Sequence, residues 1–347
     1  MLARGILVDV PDSELGAVRM TAPTPRLGVT PATIRWAGQP WARTITRSME
    51  SSGSTRPSSR NWHVKASSSL LVILLLASSA WGADYTGPLI DAHAHVSSAT
   101  AIDAYVAAMK RHNVTRVVLL GVGGVQKDDA AWLATASKKY PDRVVAGLPV
   151  PDPTAETAAT KLEQALPRTK TPVLGEVHIR QVGSRKIDRD PNDPAFGRVL
   201  DVAAKFGAPV VIHYELTDDA TAALDRALAA HRKTVVVLAH AGEGPPPRVE
   251  GLLARNSNLV VDLSGMHFQR KPALATETGP LDPAWKALIE KMPDRFLMGV
   301  DVWAPRLFEP AMLDRLFAWT RRILGELKPD VAERVAHRNA AALFRLE

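Results

Sequence analysis

From residue 84 to the C-terminus, short apolar runs alternate with longer amphipathic stretches, and the alternation counts to eight. The runs occupy 89–93, 116–122, 144–150, 173–179, 209–214, 234–240, 259–264 and 296–301. They are continuous in apolar character, as strands buried on both faces are. The stretches between them, such as 98–112, 127–139, 154–166, 194–206, 217–231 and 311–325, carry apolar residues at helical spacing with many alanines. This rhythm predicts βαβ units around a parallel sheet. Turn residues precede several runs: Pro141-Asp142, Gly207, Asn256-Ser257-Asn258 and Pro293-Asp294. Eight strands over about 260 residues match a single-domain (β/α)8 TIM barrel, whose usual size is about 250 residues. A last helix near 331–345 is expected to close it. The competing arrangement is an open doubly wound sheet. No Gly-x-Gly-x-x-Gly follows the first run, which argues against a dinucleotide site. Gly121-Val122-Gly123-Gly124 lacks the rest of that fingerprint and predicts a tight turn between strand and helix.

The front of the chain does not join this rhythm. Residues 1–63 are rich in Pro, Arg, Ser and Thr without a sustained period, and are expected to form a disordered extension. Residues 64–83 read as a secretory signal peptide. Lys65 gives the positive start, 70–77 an apolar run of eight, and Ser78-Ser79-Ala80 or Ala80-Trp81-Gly82 a small-residue cleavage site. The run is short for a bilayer span, so no stable membrane span is expected once the signal is removed. A buried strand or helix is its other reading. A signal belongs at an N-terminus, so translation is expected to start near Met49 or Val64, with the first stretch a gene-model artefact. The mature protein is then expected in the periplasm or secreted.

The 347 residues include no cysteine, which excludes disulfides and thiolate metal sites. The formal charge of +7 is concentrated at the front: +5 falls in 1–83 and +2 in 84–347. A nearly neutral barrel does not indicate nucleic acid as a partner and leaves a small-molecule substrate as the expectation. Composition leaves the oligomeric state open.

In a barrel of this kind the site lies at the C-terminal ends of the strands. The first run ends in His93 and His95, which share a face because residues i and i+2 do so in a strand. On its own His-x-His also describes two loop histidines. The fourth run carries Glu176 and His178, again i and i+2. The fifth ends in His213, the sixth in His240 and the eighth in Asp301. Five of the ten histidines therefore stand at strand ends. Imidazoles and carboxylates converging on one point suit a divalent ion, zinc above all, with an open position for water and substrate. A carboxylate beside that water can take its proton. Asp262 in the seventh run is placed to orient a neighbour. His178, Arg180, Glu215, His267, Trp303 and Arg306 are expected in loops at the mouth, with Arg180 or Arg306 available to a substrate carboxylate. Each of these residues is also compatible with an ordinary structural or solvated role.

Ile90-Asp91-Ala92-His93-Ala94-His95, Val211-Ile212-His213, Leu238-Ala239-His240-Ala241-Gly242, Gly299-Val300-Asp301 and the closing Arg338-Asn339-Ala340-Ala341-Ala342-Leu343-Phe344 together resemble the amidohydrolase superfamily. Within it they resemble the amidohydrolase-2, decarboxylase-like branch, over about residues 88–347. The resemblance implies His93, His95, His213 and Asp301 as metal ligands, with Asp301 doubling as the catalytic acid/base. It implies His240 as either a ligand of a second ion or a catalytic group that polarises the substrate. Many two-metal members place a carboxylated lysine on strand four. Here Lys170 precedes that strand, and Glu176 stands within it as a candidate bridging ligand or a substrate-binding group. One divalent ion or two, zinc as the first choice, is the implied cofactor. The implied function is an exported metal-dependent hydrolase cleaving a C–N or C–O bond of a small molecule. Two alternatives stand beside it: a decarboxylase or hydratase of the same branch, and a non-catalytic periplasmic binding protein on a barrel scaffold.

Overall fold

The computed structural model describes residues 83–122, 128–169 and 172–346 in full, and 7–12 and 16–21 by their backbone course. The chain forms two compact units, Met1–Leu75 and Leu76–Glu347. In the first, Leu7–Asp12 pairs antiparallel with Gly16–Thr21. This ribbon falls where the sequence predicts an irregular extension, because its period-two pattern is too short to stand out from its surroundings. The signal segment lies outside the described residues, Ala83 excepted.

Eight strands form the barrel: β1 Leu89–Ala94, β2 Val114–Leu119, β3 Val144–Ala146, β4 Leu174–Gln181, β5 Val210–Tyr214, β6 Val236–Leu238, β7 Leu259–Asp262 and β8 Phe296–Leu297. A helix follows each: α1 Ala101–Arg111, α2 Asp129–Lys139, α3 Ala158–Ala165, α4 Pro194–Phe206, α5 Asp218–Ala230, α6 Pro246–Arg255, α7 Pro283–Lys291 and α8 Pro310–Gly325. Of these, α6 and α7 were not singled out by the sequence pattern. Local chemistry starts and stops the helices. Asp193 caps α4 by accepting from the Ala195 and Phe196 amides ahead of Pro194, and Gly207, at φ 59°, ends it in the left-handed conformation. Asp282 and Pro283 repeat the start at α7.

Strands β1-β2-β3 and β4-β5-β6-β7-β8 pair in parallel in that order. A parallel bridge between Leu148 and Leu174 joins β3 to β4. At the other seam the Ala92 amide donates to Met298 O at 2.9 Å and the Asp301 amide to His93 O at 2.8 Å. The barrel is therefore closed and presents no open edge.

Alternation along the strands sorts apolar residues into two cores. Ile90, Ala92, Val118, Leu120, Val145, Val173, Val211, Val237 and Leu297 pack inside the barrel, where Ala340, Ala341 and Phe344 of the C-terminal helical segment join them. Leu89, Val117, Leu174, Val210, Ile212, Val236, Val261 and Phe296 face outward against the helices. The segment 329–344 is helical throughout but built of three pieces, with a wider π turn at Arg334–Arg338. Its Val335 carbonyl accepts the Met298 amide and its Asn339 amide caps the Pro293 and Phe296 carbonyls, which anchors it under β8.

Candidate metal centre

The functional side chains reach the barrel interior by three routes. His213, Asp262 and Asp301 follow simple alternation from the inward Val211, Val260 and Leu297. His93 and His95 do not. Ala92 packs inside and Ala94 packs outside, and the β1–β2 register slips between Asp91 and Ala94. A slip of this kind moves side chains from one face to the other. The β4–β5 register slips likewise between Leu174 and Val177, just where Glu176 and His178 turn inward. At β6 the backbone turns left-handed through His240 (φ 56°), Ala241 (φ 51°) and Gly242 (φ 59°). Asp301 is also left-handed, at φ 52°. Such conformations cost free energy for residues with a Cβ and gather at functional sites.

These routes converge on Glu176. Its Oε2 lies 3.5 Å from His95 Nε2, 3.6 Å from His178 Nε2 and 3.8 Å from His93 Nε2. Its Oε1 lies 2.9 Å from His213 Nδ1 and 3.3 Å from His240 Nε2. Five imidazoles thus surround one carboxylate. The second carboxylate, Asp301, places Oδ1 3.3 Å from His95 Nε2 and Oδ2 3.7 Å from His240 Nε2, and Oδ2 also accepts from Arg270. All these ligand-type side chains are buried.

The supporting partners fix which nitrogen of each ring faces the centre. His93 Nδ1 meets Asp262 Oδ2 at 2.6 Å, and Asp262 Oδ1 accepts the Ser264 amide at 2.6 Å. His95 Nδ1 donates to Leu120 O at 2.8 Å, and His240 Nδ1 donates to Ser264 O at 2.8 Å. With Nδ1 committed outward, the Nε2 atoms of all three rings point inward, His93 and His95 only 3.2 Å apart. Hydrogen bonding of the far nitrogen to a carboxylate or carbonyl is the usual support of a metal-ligating histidine.

Electrostatics follow from this crowding. Burial opposes a charge on His93, but Asp262 and Glu176 outweigh it and raise its pKa to about 10 in the metal-free protein. Burial likewise opposes ionisation of Glu176 and Asp301. The histidines around Glu176 hold it well below the usual carboxylate range, and His240, His95 and Arg270 do so for Asp301. His178 is pushed down to about 4 by burial, against the pull of Glu176. In the metal-free protein a proton on His93 separates the two facing Nε2 atoms. A divalent ion would take the place of that proton and satisfy both lone pairs, so the donor set fits a metal.

The expected ligands do not fall into one group. His93, His95 and Asp301 bring ligand atoms within 4.8 Å of one another, as do His93, Glu176 and His240, and as do Glu176, His178 and His213. His213 therefore groups with Glu176 rather than with the first trio. His178 and Arg180 lie within β4 and not in a mouth loop, because β4 runs on to Gln181. Arg180 donates to Asp188 Oδ1 at 2.5 Å and Glu215 O at 3.1 Å, contacts that hold the fold together, and it does not line the cavity.

A cavity of about 590 Å³ opens above the cluster, lined by His95, Glu176, His178, His213, His240 and Asp301 and, toward the mouth, by Arg185, Glu215, Glu243, His267, Arg270, Trp303 and Arg306. That volume suits a small molecule. Arg270 escaped the sequence reading. It lies in a loop 31 residues before Asp301, and no spacing rule connects the two. Among the described residues no helix is long and apolar enough to cross a membrane.

An amidohydrolase family model of the amidohydrolase-2 type matches residues 90–346. No curated protein matches the chain. Among solved structures, an uncharacterized TIM-barrel protein from Bordetella bronchiseptica superposes with a TM-score of 0.54 at 16% identity, covering 75% of this chain and 99% of that one. An amidohydrolase from Burkholderia multivorans gives 0.53 at 15% identity, covering 75% and 100%. A 2,6-dihydroxybenzoate decarboxylase gives 0.51 at 15% identity, covering 76% and 99%. At these identities the solved structures speak for the barrel alone. The family model, together with the strand-end residues gathered around Glu176, carries the assignment: this chain belongs to the amidohydrolase-2 family of metal-dependent TIM-barrel enzymes.

Proposed function

We propose that the protein is a hydrolase that uses one or two divalent ions, zinc as first choice, to cleave a C–N or C–O bond of a small molecule. The observation that carries this is Asp301, an ionised buried carboxylate facing His95 and His240 at the floor of an open cavity. His93, His95 and Asp301 would hold one ion. Glu176 turns Oε2 toward His93 and His95 and Oε1 toward His213 and His240, so it could contribute an oxygen to an ion held by either pair. When bound, such an ion lowers the pKa of a water and polarises a substrate oxygen. Asp301, beside His95 and His240, would accept a proton from an attacking water and return it to the leaving group. His240 presents Nε2 to the same space, to polarise the substrate or to ligate the second ion.

Replacing Asp301 with Asn keeps the size and one oxygen but removes the proton acceptor and a ligand charge. Turnover should fall by on the order of 10²–10⁴-fold with the fold intact. The His240→Asn variant separates the two stoichiometries. Activity should be crippled in either case, but metal content should halve only at a two-ion site. Near-wild-type activity of Asp301→Asn on a genuine substrate refutes the mechanism.

A lyase reading, decarboxylation or hydration, is favoured by a separate observation. Arg185 and Arg306 line the cavity beside the Asp301-bound Arg270 and suit a carboxylated substrate. Release of carbon dioxide, or water addition without bond cleavage, would decide for it. We also propose export, from the order of charge, apolar run and small residues in 65–82. Sequencing of the exported protein should find its start close to residue 81 or 83.

A further inference from the structure

We propose that His267 reads the substrate: its Nε2–H donates to an anionic oxygen of a carboxylic acid bound in the cavity, with Arg270 and Arg306 alongside and Trp303 as the apolar seat. The inference rests on the reading of this cavity as the substrate site. His267 stands in the loop after β7 and is 2% exposed. Its Nδ1 accepts the Gln269 backbone amide at 3.2 Å, which leaves the ring proton on Nε2. That nitrogen is buried without a hydrogen-bond partner, although the ring lines the cavity. A buried donor with no acceptor is costly and rare in a native structure.

The partner His267 lacks is an acceptor, and the neighbours give the acceptor its charge. With Nδ1 accepting a backbone amide the ring is a neutral donor, the form that burial also favours. Arg306 meets the uncharged Gln269 side chain at 3.3 Å. Arg270 binds Asp301 and approaches Glu243 at 3.7 Å, and its own amide donates to His267 O at 2.9 Å, so the two side chains are carried on one turn. Trp303, 44% exposed, lines the same mouth and offers a flat apolar surface. The His267 donor, the Arg306 guanidinium and the Trp303 plane fit a planar carboxylate, with Arg270 offsetting the charge of Asp301 and Glu243 beside them.

The test is calorimetric binding of benzoate to the zinc-loaded full-length protein, with benzamide as the uncharged control. Wild type should bind benzoate in the millimolar range or tighter, and benzamide more weakly. His267→Phe, or His267→Ala if the Phe variant does not fold, should weaken benzoate by roughly 10–100-fold, as expected for a hydrogen bond to a charged group. His267→Gln, which keeps an amide donor near the Nε2 position, should recover most of the loss. Metal content should be unchanged in all variants. Equal benzoate affinity in wild type and donor-less variants, or no benzoate binding to metal-loaded wild type, overturns the proposal. A wild type that takes up no metal refutes the hydrolase reading instead.

Discussion

Substituting Asp262 with Asn is the sharpest probe of the metal centre, because Asp262 touches no substrate and acts through a single ring. One carboxylate oxygen holds His93 Nδ1 at 2.6 Å, and the other accepts the Ser264 amide at 2.6 Å. Asparagine has one oxygen for these two donors. If the oxygen stays on Ser264, the amide NH2 faces Nδ1, and the ring proton must move to Nε2, where it blocks ligation. If the oxygen turns to His93, the Ser264 amide loses its acceptor in a buried setting, and the ring loses the negative charge that makes it a strong ligand. Either way metal affinity should drop. Loss of such supporting partners typically costs 10–100-fold, which is about 1.4–2.7 kcal/mol. The first outcome lies at the upper end. Competition for zinc against a chromogenic chelator measures the affinity, and a far-UV melt of the metal-free variant checks the fold. Affinity within about threefold of wild type, far below the expected range, would show that the ring is held some other way and that the account of the ligand nitrogens is wrong.

Three further outcomes follow from the same geometry. His93 is raised from 6.5 to about 10 in the metal-free protein, so its contribution to stability is complete below pH 6.5 and is lost as the pH rises toward 10. Metal uptake at pH 7–8 should release about one proton from it, read by calorimetry in buffers of different ionisation enthalpy; uptake without proton release contradicts the pairing with Asp262 and Glu176. Asp91 is raised from 3.8 to about 7 by burial, against its hydrogen bonds with Tyr105, His93 and Val300. The folded state holds that proton where the unfolded state has lost it, so stability should fall between about pH 4 and pH 7, and Asp91→Asn should flatten the slope in thermal melts. Asp91→Ala leaves the Tyr105 hydroxyl and the His93 and Val300 amides without their acceptor. At about 1–3 kcal/mol for a buried unsatisfied group, it should be far more damaging than Asn.

The eight-beat alternation made the barrel legible, because continuous apolar strands and alanine-rich helices leave few other architectures. The placement of His213 and Asp301 was legible for a similar reason: both keep the parity of their strands. For His93 with His95 and Glu176 with His178 the i, i+2 spacing showed that each pair shares a face, but the strand parity alone did not make that face the inner one, which depends on register slips that no local residue announces. His240 reaches the centre through a left-handed turn in which two of three residues carry a Cβ, the opposite of what turn chemistry leads one to expect. The central position of Glu176 and the clasp of Arg270 on Asp301 are long-range facts. They join residues far apart along the chain, and only the closed barrel brings them together.

The closure of β1 against β8 also bears on how the protein matures. The Val300 amide and Asp91 Oδ1 that tie this seam lie 209 residues apart, and contacts of such separation form late and slowly. His93 and His95 come from the first strand and Asp301 from the stretch that follows the last. A chain whose last strand has not yet docked therefore carries His93, His95 and Glu176 without Asp301, an incomplete donor set. Full affinity would arise only after the ends of the barrel have met. Metal binding would in this sense report completion of the barrel, and by linkage it would stabilise finished molecules more than unfinished ones.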